Sequence, residues 1–221
     1  WAAVHALGPA LAALFTNSTQ HRAGNRWACA RLRTVLGTAP GRMRPAPVTD
    51  DPAAGWARHV LDVPVLCVRQ PGGCWQPPKP LTFADWIAGA LPNPPSVDDL
   101  EYHISTMFPP VRPRGYLEVR YLDAQAGDDW LAPLALLVAL FADESIVDEA
   151  LTLAMPSGRR WLHAARYGIA DPAIGATARA IVELGCQALQ RLPGLDRRTA
   201  DAVIERLTAR VNDTSMARRR S

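Results

Sequence analysis

Val4, Leu7, Leu11, Leu14 and Phe15 recur at helical spacing, so residues 1–16 are expected to form a buried helix with a kink at Pro9. Residues 16–50 show no period and read as irregular and basic. Asp51 followed by Pro52 supplies a cap and a proline first turn, which predicts a short helix to about Leu61. Val63 to Val68 fits a short strand. Gln70 to Pro80 concentrates prolines and glycines, the signature of an exposed loop and a candidate lid. Thr82 with Asp85, and Ser96 with Asp99, each place a hydroxyl three residues before a carboxylate. Each pair can satisfy first-turn amides reciprocally, so short helices should open at about Phe83 and Val97.

The clearest strand is Tyr116 to Asp123, flanked by prolines and glycine and rich in β-formers. Its alternation places Leu117, Val119 and Tyr121 on one face, and Glu118 and Arg120, with Tyr116 and Leu122, on the other. From Trp130 onward the pattern turns helical, with segments at about 131–142, 145–154, 158–167, 172–191 behind an Asp171-Pro172 cap, and 196–211. A frayed basic tail follows. The pattern as a whole is that of strands followed by a helical region over 131–211, an α+β arrangement. No internal repeat or low-complexity block interrupts it.

The length and the 48% hydrophobic content suit one ordinary domain with a real core. The longest apolar run, Trp130 to Ala142, falls well short of the roughly 20 residues that cross a bilayer, so no membrane span is expected. The first residue is Trp1 in helix-like sequence, and the chain reads as cut at its front. Of the 24 basic residues only Lys79 is lysine, and the net charge of +3 does not by itself imply nucleic acid. The first 50 residues nevertheless hold Arg22, Arg26, Arg31, Arg33, Arg42 and Arg44 against the single acid Asp50, which fits either a solvated face or a site for an anionic ligand. Cys29, Cys67, Cys74 and Cys186 lack CxxC spacing and disulfide-scaffold density, which favours a reduced, cytoplasmic setting without zinc.

Glu118 and Arg120 carry the chemistry. A carboxylate and a guanidinium two residues apart on one strand face lie roughly 6.5–7 Å apart at their Cα atoms. That spacing suits a metal held by the acid and a phosphate gripped by the arginine, the groups on which phosphoryl transfer depends. A salt bridge or a solvated face fits the same pattern.

The segment Tyr102-His-Ile-Ser-Thr-Met-Phe-Pro-Pro-Val-Arg-Pro-Arg-Gly-Tyr-Leu-Glu-Val-Arg-Tyr-Leu-Asp123 resembles the signature of the glutamate-cysteine ligase family, within it the actinobacterial branch that serves ergothioneine biosynthesis. Gly8 to Ser18, Trp56 to Val68, Thr82 to Ile87 and Asp171-Pro172 extend the resemblance in the family's order. The resemblance implies a glutamine-synthetase-like fold of about twice this length, of which the chain is the C-terminal part of one catalytic domain. The other half would bring further acidic metal ligands and much of the nucleotide site. The implied reaction joins the γ-carboxylate of glutamate to the amine of cysteine at the expense of ATP, through a γ-glutamyl phosphate. Glu118 matches the family's Mg²⁺-binding glutamate, Arg120 the catalytic arginine on the nucleotide phosphates, and Arg31 an arginine associated with substrate glutamate. Near Arg31 the sequence departs from the pattern, with Val35 where the family usually has Trp, and a surface arginine in a basic loop fits Arg31 equally. His103, Ser105 and Thr106 read as packing residues, and Asp123 as shaping the strand end. The expected partners are small molecules, with no nucleic acid or membrane, and these 221 residues alone are expected to lack turnover.

Three other readings fit parts of the chain. A carboxylate-amine ligase with another amine acceptor shares the motifs. A non-catalytic half would keep Glu118 and Arg120 only as a buried pair. Leu192 to Ala200 resembles the hairpin of a helix-hairpin-helix DNA-binding module, although Asp196 replaces its second glycine and reads better as an N-cap.

Overall fold

Local capping chemistry sets most element boundaries in the computed structural model, which describes residues 1–22, 25–39, 41–70, 72–77 and 80–212. The elements in chain order are α1 (Ala2–Leu14), β1 (Gln20–Arg22), β2 (Asn25–Trp27), α2 (Ala30–Gly37), α3 (Pro52–Asp62), α4 (Phe83–Asp85), α5 (Val97–Ser105), β3 (Val111–Pro113), β4 (Leu117–Val119), α6 (Leu131–Leu140), α7 (Glu144–Ala154), α8 (Trp161–Tyr167), α9 (Pro172–Leu189) and α10 (Arg197–Asn212). Helices with two separate two-stranded antiparallel sheets make this an α+β fold, as the sequence pattern predicts. No single helix among the described residues is long and apolar enough to cross a membrane.

The chain forms two compact units. The first contains Trp1 and residues 35–120. Asp51 caps α3 by accepting from Ala54 N at 3.0 Å, ahead of Pro52 in the first turn. Thr82 with Asp85 and Ser96 with Asp99 form the two expected reciprocal caps. After α4 the helix widens into a π-turn over Trp86–Ala90. Two apolar clusters hold the unit: Val65, Leu81, Phe83 and Trp86 in one, and Val60, Val63 and Met107 in the other. The expected strand over Val63–Val68 is reduced to one bridge, Pro64 with Thr82, beside a Val65 N to Leu81 O bond of 2.8 Å. Pro64 has no N–H to extend a ladder. Residues 72–76 are exposed, as expected of a loop, while Pro71, Pro78 and Lys79 lie outside the described residues.

The second unit contains residues 2–34 and those from 121 onward. Its centre is α1, buried along nearly its whole length, with α7, α8 and α9 packed around it, and α9 in turn packs on α6 and α10. The helix continues through Pro9. Asp171 caps α9 through Ala173 N and Ile174 N, and its other oxygen takes Arg160 at 2.7 Å. Asp196 caps the start of α10, accepting from Thr199 N at 3.0 Å and Thr199 Oγ1 at 2.6 Å. The carboxylate therefore occupies the amide-rich turn that a phosphate would need in a helix-hairpin-helix. The tail over 213–221 lies outside the described residues.

Residues 16–50 are more ordered than their lack of period suggests. They hold the β1–β2 hairpin and α2, and Cys29 N donates to Ala165 O at 2.9 Å. Both strands are three residues long and polar, so they carry no alternation to read.

Tyr121 is completely buried, its ring tilted against that of Trp161 with centroids 5.6 Å apart, and its hydroxyl has no hydrogen-bond partner among the described residues. Burial holds its phenol well above the usual range. An unsatisfied buried hydroxyl costs about 1–3 kcal/mol, so Tyr121→Phe should unfold at equal or higher urea concentration, with a gain of up to about 1 kcal/mol. A clearly lower midpoint would expose a hidden partner for the hydroxyl.

Candidate active site

The segment expected to be one strand over 116–123 pairs only at Leu117–Val119, in register with Val111–Pro113. Pro113 cannot donate to a longer ladder, and Gly115, at φ +77°, reverses the chain in a three-residue loop. Beyond Val119 one further bond, Arg120 N to Pro110 O at 2.8 Å, ends the pairing. The expected apolar face is accordingly not uniform: Leu117 is exposed and Tyr121 is buried.

The polar face is formed as the alternation predicts. Arg120 Nη1 donates to Glu118 Oε1 at 2.5 Å. Directly across the ladder, Arg112 Nε donates to Glu118 Oε2 at 2.7 Å, and Arg112 Nη2 forms an ion pair with the same oxygen at 2.7 Å. Arg112 is itself buried, and its Nη1 donates to Met107 O at 3.1 Å. The Phe108 ring lies 5.2 Å from the Arg112 guanidinium and 4.9 Å from that of Arg120, so one aromatic ring serves both cations. Glu118 and Arg120 keep roughly a quarter of their side-chain surface open, whereas Arg112 is closed in. The cluster is thus anchored by Arg112 and presented by Glu118 and Arg120.

The Arg112 hydrogen bond, followed by that of Arg120, holds the Glu118 carboxyl below its ordinary value of 4.5 against the opposing effect of burial. Because the folded value is lowered, this contribution to stability is full above about pH 4.5 and is lost as acid takes the pH down through the folded value. Two guanidiniums around one carboxylate leave one positive charge in excess, an arrangement that attracts a polyphosphate and repels a bare cation.

Arg112 and Phe108 are the residues that sequence reading missed. The available signal was the hairpin register, since pairing across Arg114-Gly-Tyr116 puts Arg112 opposite Glu118. Arg112→Met should cost about 2–3 kcal/mol, the loss of charge-assisted bonds, and should lower activity by freeing Glu118. Denaturation and steady-state kinetics of the variant check both effects, and a fully stable variant with unchanged kcat contradicts them.

Glu118 fits a divalent cation in one way only. Arg112 Nε and Nη2 both crowd Oε2, whereas Oε1 takes one N–H from Arg120, leaving Oε1 a lone pair for monodentate coordination. No group of three or more His, Cys, Asp or Glu side chains among the described residues forms a cation site. Mg²⁺ is commonly held by one or two carboxylates with phosphates and water, so Glu118 suits an ion that arrives with a polyphosphate.

Arg31 lies in the second unit, in the first turn of α2. Its Nη1 donates to Leu122 O at 3.2 Å and lies 3.9 Å from Asp123 Oδ1, while 40% of its side chain is exposed. Of the signature residues without assigned chemistry, His103 bonds Val60 O at 2.9 Å, with its pKa lowered first by burial. Thr106 accepts from Arg42 and donates to His103 O, and Ser105 donates to Tyr102 O at 2.7 Å. His103 and Thr106 pack the first unit, as expected, whereas Ser105 is exposed and bonds only within its own helix turn.

Residues 1–219 match the model of glutamate-cysteine ligase family 2. A glutamate–cysteine ligase EgtA of Mycolicibacterium smegmatis is 34% identical over 202 residues, covering 83% of this chain and 44% of that protein. The EgtA ligase of Mycobacterium tuberculosis is 35% identical over 186 residues, covering 76% and 40%. A chloroplastic glutamate–cysteine ligase of Brassica juncea is 31% identical over 157 residues, covering 67% and 30%. The chain spans less than half the length of these relatives. With a family match over nearly all of its residues, the chain belongs to glutamate-cysteine ligase family 2.

Proposed function

We propose that the intact protein joins the γ-carboxylate of L-glutamate to the amine of L-cysteine, with ATP consumed, in the cytoplasm and in the service of ergothioneine biosynthesis. The observation that carries the reading is the Arg112–Glu118–Arg120 cluster, a rigid set with one excess positive charge and two partly open members. The names of the EgtA relatives support the substrate pair.

A carboxylate is a poor electrophile, so the γ-carboxylate first takes the γ-phosphoryl group of ATP and releases ADP. The cysteine amine then attacks the acyl carbon, phosphate leaves with the electron pair of the C–O bond, and the amine gives up a proton. Arg120 lies against the transferring phosphoryl oxygens, where negative charge must be neutralised as the P–O bonds exchange. Arg112 holds Glu118 so that Oε1 faces the nucleotide. Mg²⁺ bound at Glu118 Oε1 would supply further charge neutralisation on the phosphates. Arg31 binds a carboxylate of substrate glutamate through its guanidinium fork.

Hydroxylamine provides the test, because it traps an acyl phosphate without cysteine. The intact protein with ATP, Mg²⁺, glutamate and hydroxylamine should form γ-glutamyl hydroxamate and ADP in equal amounts. ADP formation without hydroxamate under trapping conditions would overturn the acyl-phosphate route.

A further inference from the structure

Asp123, in the second unit, is a buried carboxylate with only 2% of its side chain exposed. Its Oδ2 accepts from Asn17 N at 2.8 Å and from Ser18 Oγ at 2.7 Å, and the Cys29 thiol lies 3.4 Å from both oxygens. Oδ2 is thus filled by neutral donors, while Oδ1 faces Arg31 Nη1 at 3.9 Å. The same carboxylate reaches the other end of Arg31 as well. Ser18 Oγ, which donates to Oδ2, accepts from Arg31 N at 3.1 Å. Leu122 O, one residue before Asp123, takes Arg31 Nη1 at 3.2 Å.

A residue serving only as a fold pin needs its neutral donors and no more. Here both the amide and the guanidinium of one arginine are referenced to a single buried carboxylate. The ion pair is long and partly exposed, a geometry that adds little stability, so its effect is on where the guanidinium points. The contacts to Leu122 O and Asp123 Oδ1 both fall on Nη1, and 40% of the side chain is exposed. We infer that Asp123 is a positioning residue, which through Ser18 and Oδ1 aligns Arg31 for a carboxylate of the substrate amino acid. The inference rests on the glutamate-binding role proposed above for Arg31.

The test is a set of steady-state measurements on the intact protein. Asp123→Asn should raise KM for glutamate about 10-fold while kcat and KM for ATP stay within about twofold, the pattern of lost alignment in binding. Cys29→Ala removes a neutral donor and leaves the Asp123–Arg31 pair, so it should lower stability with KM for glutamate unchanged. Unchanged KM for glutamate in Asp123→Asn, or an equal rise in Cys29→Ala, overturns the inference. Should Asp123→Asn fail to fold, Ser18→Ala cuts the tie to Arg31 N and must raise KM for glutamate, or the inference falls. Arg31→Ala separates the two levels. If it raises KM for glutamate and Asp123→Asn does not, only the positioning role is lost; if it leaves KM unchanged, the glutamate role of Arg31 is lost with it.

Discussion

Arg120→Ala in the intact protein is expected to lower kcat by about 10²–10³, equivalent to roughly 2.7–4 kcal/mol of transition-state stabilisation. The size follows from placement. Arg120 is held by Glu118 at 2.5 Å and lies 4.9 Å from the Phe108 ring, so its charge is preorganised before any phosphate arrives. A preorganised cation need not reorient during the reaction, and its removal is felt in kcat more than in substrate binding. The variant should still fold, because Arg112 continues to hold Glu118 from the buried side. Arg120→Lys should recover part of the loss, since lysine restores the charge without the planar fork. Unchanged kcat in Arg120→Ala would remove this residue from the chemistry.

Gly8→Ala is the stability change of largest expected effect, at about 3 kcal/mol, the upper part of the range for overpacking a core. A Cβ on Gly8 would stand 2.0 Å from Trp161 Cη2 and 2.6 Å from Cζ2. The indole has little room to withdraw, being 8% exposed and packed on the buried Tyr121 ring. The central helix α1 would have to shift against α8, which the indole anchors. Replacing Trp161 with Leu in the same chain should restore part of the loss, because the two positions are coupled through one contact. Urea unfolding of the single and double variants measures this, and a Gly8→Ala protein of wild-type stability would contradict the packing described.

What could be read from the residues beforehand is mostly what depends on near neighbours. Asp51-Pro52, Thr82 with Asp85, Ser96 with Asp99 and Asp171-Pro172 all cap helices as their spacing demands, since a cap is decided within one turn. Glu118 and Arg120 share a face for the same local reason. What depended on distant partners was not legible. Arg112 becomes a site residue only through the register of a hairpin whose strands are three residues long. The polar β1–β2 hairpin has no apolar alternation, and the Val63–Val68 run is denied a ladder by Pro64. Asp123 looked like a strand-end residue because its partners, Asn17, Ser18, Cys29 and Arg31, come from the far end of the sequence.

As proposed, the charged hairpin of this chain serves a ligase that activates glutamate for attack by cysteine. The most direct measurement is ADP release by the intact protein with ATP, Mg²⁺ and glutamate, with and without cysteine, beside a panel of other amines. Release should depend on cysteine and match the γ-glutamylcysteine formed. Release driven equally by other amines would contradict the acceptor assignment, and no release with any amine would contradict the ligase reading itself.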